Sequence, residues 1–180
     1  MQALIDAVES GIIPASIGLV VSDREGAFGL ERAKKHNIPS VTLARKSFRS
    51  LSERDEKLVE VLKDHDIDFV MLAGYLSILT QTVVKNYENR IINIHPALIP
   101  NYCGKGYYGD VIHKEVLQNK EKETGVTLHF VDTGVDSGPI IVQERISVDE
   151  GETLESLKKK IHATEHRLIV QTAKAYCEDN

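Results

Sequence analysis

Long apolar runs, blocks of basic charge and cysteine are all scarce in this 180-residue sequence. No apolar stretch approaches the ~20 residues that carry a helix across a bilayer, so no membrane span is expected. The opening MQALIDAVESG lacks the basic start and apolar core of a secretory signal, and a cytoplasmic protein is expected. Two cysteines, Cys103 and Cys177, stand far apart in no metal-ligand spacing, which fits free thiols in a reducing compartment. Acidic side chains number 27 against 22 basic ones, for a net charge of -5. No cluster of Lys and Arg supplies the positive face that nucleic acid requires, whereas a small anionic substrate stays open. There is no G-x-S-x-G turn to support Ser-His-Asp hydrolysis. His95, His113 and His129 match no compact ligand motif, so no metal is expected. Repeats, low-complexity stretches and an interdomain linker are also lacking. What remains is an ordinary globular composition, 42% hydrophobic and 27% charged, in a length suited to one domain.

Strand-like and helix-like segments alternate along the chain, and that order predicts an α/β fold, Rossmann-like, with a mostly parallel sheet and helices on both faces. Residues 2–9 read as a short helix, 17–21 as a strand and GLERAKKHN as a helix halted by Ile38-Pro39. A strand near SVTLA, a charged helix over 52–65 and the apolar run DFVMLAG follow. That last run is apolar throughout, as a strand covered on both faces should be. Thr80 is placed to cap another short helix with its hydroxyl. Next come the strand IINIH, a loop rich in Pro, Gly and Tyr, a helix over about 109–118 and the strand GVTLHFV. The loop DTGVDSG, the strand PIIVQERI and a helix from near Thr153 complete the pattern.

Chemistry concentrates at Asn93-Ile94-His95-Pro96. Residues two apart on a strand share a face, roughly 6–7 Å from each other. Asn93 and His95 therefore aim together above the end of the sheet where open α/β folds bind ligands. An amide beside a protonated imidazole suits a reaction in which negative charge grows on an oxygen. A carboxylate is then needed to orient that imidazole and move protons. Asp136 is preferred over Asp132 within the loop 132–139, because it precedes the next strand and lies between glycines. On spacing alone, a hydrogen-bonded structural histidine and a plain turn at Asp-Ser-Gly-Pro remain open.

INIHPALIP resembles the N-x-H-P-S-L-L-P motif of the folate-dependent formyltransferases, and GVTLHFVDTGVDSGPIIVQ resembles their second motif. AFGLERA and LAGYLSIL also look like segments of the branch that acts on glycinamide ribonucleotide, so the likeness covers nearly the whole chain. The resemblance implies formyl transfer from 10-formyltetrahydrofolate to the amine of 5-phosphoribosylglycinamide, with Asn93, His95 and Asp136 catalytic. It implies a folate pocket from Tyr75, Leu76, Ser77, Ile78 and Leu79 on one side and Val131, Asp132 and Val135 on the other. It implies substrate contacts from Glu165 to the ribose hydroxyls and from Lys105, in a loop resembling the family's K-G-x-Y-G form. No metal and no covalent intermediate is implied. The partners are then small molecules, and the protein is a monomer or homodimer.

The sequence departs from the family pattern at two places. Ser77 stands where relatives often carry Arg. The apolar strand and glycine-rich phosphate turn with which relatives open are not found, so residues 1–180 read as a single formyltransferase domain that is N-terminally incomplete. Unpaired backbone on neighbouring strands and weaker phosphate affinity are expected consequences. Rival readings are a formyltetrahydrofolate deformylase and an inactive folate- or nucleotide-binding fragment. Methionyl-tRNA formyltransferase would require a basic surface, which is not there.

Overall fold

In the computed structural model, which describes residues 1–179, six strands and six α-helices alternate along the chain. Helix α1 (Gln2–Glu9) precedes β1 (Val20–Ser22), α2 (Phe28–Lys35) and β2 (Ser40–Thr42). A single 3-10 turn (Arg45–Ser47) leads to α3 (Leu51–Asp64), β3 (Val70–Leu72), α4 (Gln81–Asn86) and β4 (Ile91–His95). The rest is α5 (Asp110–Gln118), β5 (Glu123–Phe130), β6 (Ile140–Ser147) and the long α6 (Leu154–Asp179). Local chemistry sets several boundaries. Ser50 Oγ accepts from the Glu53 amide at 3.1 Å, satisfying an orphan donor at the start of α3, while Glu53 reaches back to accept from the Arg49 amide at 2.7 Å.

The strands form two sheets. β1 and β2 pair in parallel, and a second sheet has the order β3-β4-β5-β6. Within it β3 and β4 are parallel, whereas β5 and β6 are antiparallel to their neighbours. The α/β class and the parallel pairing of the first four strands are as expected from the sequence. β3 differs from expectation in being half-buried along its length. Its only ladder partner is β4, so one of its edges is uncovered by any strand among the described residues. β1 is likewise bonded only to β2. Apolar side chains still join the two sheets: Val21 and Val41 pack in one cluster with Val70, Leu72 and Ile91.

Helices cover both faces of the larger sheet, and β4 shows how. Ile91 faces Leu58, Leu62, Val83 and Tyr87 of the α3–α4 side. Ile92, the next residue, faces Ile112, Val116, Leu157, Ile161 and Leu168 of the α5–α6 side. This reversal is the period-two geometry of a strand, and each such buried aliphatic side chain contributes about 1.5–3 kcal/mol. Thr80 does precede α4, but its hydroxyl makes no cap bond. Its amide instead donates to Asp55 at 2.5 Å, which turns the side chain into a buried place. No helix among the described residues is long and apolar enough to cross a membrane.

Candidate active site

The site is built where the parallel strands β3 and β4 end side by side, with Leu72 opposite Asn93. β4 presents Asn93 and His95 on one face, as alternation requires. Opposite them on β5 stand His129, in register with Asn93, and Thr127, in register with His95. Asp136 reaches in from the loop between β5 and β6 with φ of 55°, a left-handed backbone uncommon for a residue bearing a Cβ.

Four polar side chains meet there. Asn93 Nδ2 lies 3.4 Å from Asp136 Oδ1 and 3.2 Å from His129 Nε2. His95 Nδ1 is 3.6 Å from Asp136 Oδ2, and His129 Nε2 is 3.7 Å from Asp136 Oδ1. The Gly104 amide donates to Asp136 Oδ2 at 3.0 Å, tying the loop after β4 to the loop before β6. The ring of His95 donates from Nε2 to the Tyr102 carbonyl at 2.8 Å. His129 donates from Nδ1 to the Phe130 carbonyl at 2.9 Å. A carbonyl only accepts, so in its neutral form His129 keeps a lone pair on Nε2, and the Asn93 amide donates to it.

Burial and charge oppose each other in this group. His95 is 4% exposed. Burial lowers its pKa below 6.5 and outweighs the raising influence of Asp136 and the Tyr102 hydrogen bond. The resting imidazole is therefore neutral at pH 7, in contrast to the protonated form expected from the sequence, because desolvation exceeds one carboxylate's attraction. For Asp136 burial again acts against the charged form. The nearby rings of His129 and His95 and the hydrogen bond from the Gly104 amide together prevail and lower the carboxyl's pKa. The arrangement joins an ionised carboxylate, a neutral imidazole and an amide donor, the imidazole buried and the other two partly so. That set can stabilise a growing oxyanion and carry protons.

The loop that carries Asp136 is held by its own residues. Asp132 Oδ1 accepts from the Gly134 amide at 2.9 Å and from Ser137 Oγ at 2.8 Å, so Asp132 closes the turn. A Cβ on Gly138 would run into the Phe130 carbonyl, so only glycine fits there. Gly138→Ala is expected to cost about 1–3 kcal/mol by overpacking, read as a lower urea midpoint, and to reduce kcat by moving Asp136.

The other sequence-derived residues are distributed around this centre. Leu76 and Ile78 are exposed on the turn after β3, while Leu79 between that turn and α4 is buried in the core. Tyr75 and Val131 are partly buried against the same cluster, and Val135 is exposed at the tip of the Asp136 loop. Ser77 Oγ donates to Asp23 at 2.6 Å. Lys105 is exposed in the loop after β4. Glu165 sits on α6, its side chain 20% exposed, with His162 Nε2 at 3.8 Å. Burial pushes its carboxyl up to about 7. His129 was not foreseen as part of the centre, and the signal for it is its shared strand face with Thr127 in GVTLHFV.

An Asn-His-Asp centre at the carboxyl end of a parallel strand pair, its histidine buried and its other two side chains partly so, defines a site suited to proton movement and oxyanion stabilisation. The chain belongs to the formyl transferase family, whose model matches residues 1–173. Phosphoribosylglycinamide formyltransferase of Haemophilus influenzae is 33% identical over 178 residues, covering 99% of this chain and 82% of that one. The enzyme of the same name from Bacillus subtilis is 35% identical, covering 92% and 83%. The crystal structure of phosphoribosylglycinamide formyltransferase from Bacillus halodurans superposes with a TM-score of 0.91 at 40% identity, over 97% of this chain and 88% of that chain. The trifunctional purine biosynthetic protein adenosine-3 of Chironomus tentans is 40% identical over 92% of this chain, which spans 12% of that protein's length.

Proposed function

We propose that this chain transfers the formyl group of 10-formyltetrahydrofolate to the amine of 5-phosphoribosylglycinamide, a step of purine biosynthesis, in the cytoplasm. The observation that carries the reading is the convergence of Asn93, His95 and Asp136, with Asp136 within 3.6 Å of both. Support comes from the similarity to the formyltransferases named above. Residues 1–180 are read as one formyltransferase domain, acting as a monomer or homodimer on small molecules.

The residues present fit the folate. Leu76 and Ile78 expose apolar surface on a turn beside the centre, Val135 does so from the facing loop, and backbone groups of both segments can meet a polar pterin edge. Tyr75, Ser77 and Leu79 on one side, with Val131 and Asp132 on the other, set the shape of those two walls. When bound, the folate supplies an activated formyl carbon. The chain does the rest. The substrate amine attacks that carbon, a new C–N bond forms, the formyl oxygen becomes negative, and the bond from the carbon to the folate nitrogen then breaks as that charge returns. Asn93 Nδ2 donates to this oxygen, and His95 turns its Nε2–H from the Tyr102 carbonyl toward it. Asp136, already ionised, takes the proton that the attacking amine sheds and returns it to the departing nitrogen, directly or through water. Glu165 binds the ribose hydroxyls and Lys105 the substrate's anionic side. No metal takes part.

The test is turnover of the purified chain, followed by the absorbance of tetrahydrofolate formed from 10-formyltetrahydrofolate. Formation that requires phosphoribosylglycinamide supports transfer. Equal formation without it would mean deformylation, and none in either case would mean a binding fragment.

A further inference from the structure

The wall assigned to folate, residues 75–80, has no regular secondary structure and exposes two large apolar side chains, Leu76 at 55% and Ile78 at 49%. Such a segment holds its shape only if something anchors it. Beneath it, α3 carries Arg54 and Asp55, adjacent in sequence and both 0% exposed. Arg54 Nε and Nη2 donate to Asp55 Oδ1 at 2.7 and 2.5 Å. Arg54 Nη2 also donates to the Ile78 carbonyl at 2.8 Å, and Asp55 Oδ2 accepts from the Thr80 amide at 2.5 Å.

Two features make this pair more than a packing detail. Neighbouring residues on a helix project about 100° apart and do not face one another, so these side chains meet by bending toward a common place. That place is the backbone of residues 78 and 80, to which the pair's outward hydrogen bonds run. Burying both charges is also a poor way to gain stability, since an apolar pair of similar size does as well or better. Arg54 even leaves Nη1 buried without a partner. What the pair supplies is charge-assisted, directional bonding to a loop, which apolar side chains lack.

We infer that the buried Arg54–Asp55 clasp is a positioning element for the formyl donor: it holds the backbone at residues 78 and 80 so that the segment presents Leu76 and Ile78 outward as the folate wall. The inference rests on the proposed reading of that wall. Neither residue reaches solvent, so neither touches substrate. The Ser77–Asp23 hydrogen bond holds the other end of the segment to the loop after β1.

The experiment is the double variant Arg54→Met/Asp55→Leu, which leaves no lone charge in the core, together with Arg54→Lys, which keeps the charge but not the forked geometry. Amide hydrogen exchange over residues 76–80 and steady-state kinetics are measured on both and on the wild type. The double variant is expected to exchange at least ~10-fold faster at the Thr80 amide, the one that Asp55 accepts from, and to raise KM for 10-formyltetrahydrofolate ~10-fold, as loss of buried backbone partners implies. Its kcat is expected within ~3-fold and its KM for the ribonucleotide unchanged, and Arg54→Lys is expected between the two. Wild-type exchange together with wild-type folate KM in either folded variant overturns the clasp. A rise in both KM values together overturns it as a folate-specific device. Faster exchange in a chain whose wild type binds no 10-formyltetrahydrofolate overturns the folate assignment while the mechanical clasp stands.

Discussion

His95→Ala is expected to lower kcat about 10³-fold while leaving KM for both substrates within a few-fold. The imidazole is not placed to hold either ground state. Its Nε2–H is spent on the Tyr102 carbonyl at rest and becomes available to the formyl oxygen only as charge develops there. Removing it withdraws an interaction of the transition state, so the loss falls on kcat. The pH profile gives a second check. Protonation of His95 on both nitrogens would direct its Nδ1–H to Asp136 and quench the carboxylate that must carry the proton. Because burial depresses the pKa of His95, the acid limb of wild-type kcat is expected below pH 6.5. An acid limb at or above 6.5, or a variant within ten-fold of wild type, would remove His95 from the chemistry.

Glu165→Gln is expected to raise stability by about 2 kcal/mol at pH 8 and hardly at all at pH 5, while weakening ribonucleotide binding. The folded carboxyl has its pKa at about 7 against an ordinary 4.5. A raised pKa in an acid means that the folded state favours the proton more than the unfolded chain does. That contribution is full below pH 4.5 and is lost as pH rises through about 7. The shift corresponds to ~3 kcal/mol, reduced to about 2 for a side chain that retains some contact with water. Glutamine keeps the shape and is never charged. His113 acts in the opposite sense. Buried and lowered to about 4 from 6.5, it takes stability away as pH falls from 6.5 through about 4. The two slopes oppose each other in the wild type, and the variant should lose the Glu165 slope and keep that of the buried histidines, His113 and His95 among them. Urea titrations at pH 5 and 8 measure both. No gain at pH 8 would mean that Glu165 is not strained by burial. The trade between stability and binding is what a site residue held partly out of water is expected to show.

Much of this was legible in the sequence because it depends on short range. IINIH reads as a strand from five residues, and alternation alone puts Asn93 and His95 on one face. The helix over residues 2–9 also follows from local pattern. What escaped depends on register between distant segments. His129 joins the centre only because β5 pairs antiparallel to β4 with residue 129 opposite 93, a relation no local spacing states. Arg54 and Asp55 look like two more charges of a charged helix until the segment after β3 folds over them. Thr80 was read as a cap from its type, but its hydroxyl is buried without a hydrogen bond while its amide donates to a carboxylate 25 residues upstream. The protonation of His95 was missed for a related reason. A partner carboxylate can be guessed from sequence, whereas the depth of burial that outweighs it cannot.

The most direct measurement is the fate of the carbon itself. The purified chain is given 10-formyltetrahydrofolate labelled with ¹³C in the formyl group, together with phosphoribosylglycinamide, and the products are followed by NMR. Label is expected in an amide on the ribonucleotide, appearing as fast as tetrahydrofolate and abolished by His95→Ala. Label released as formate at the rate of tetrahydrofolate formation, whether or not the ribonucleotide is present, would contradict formyl transfer.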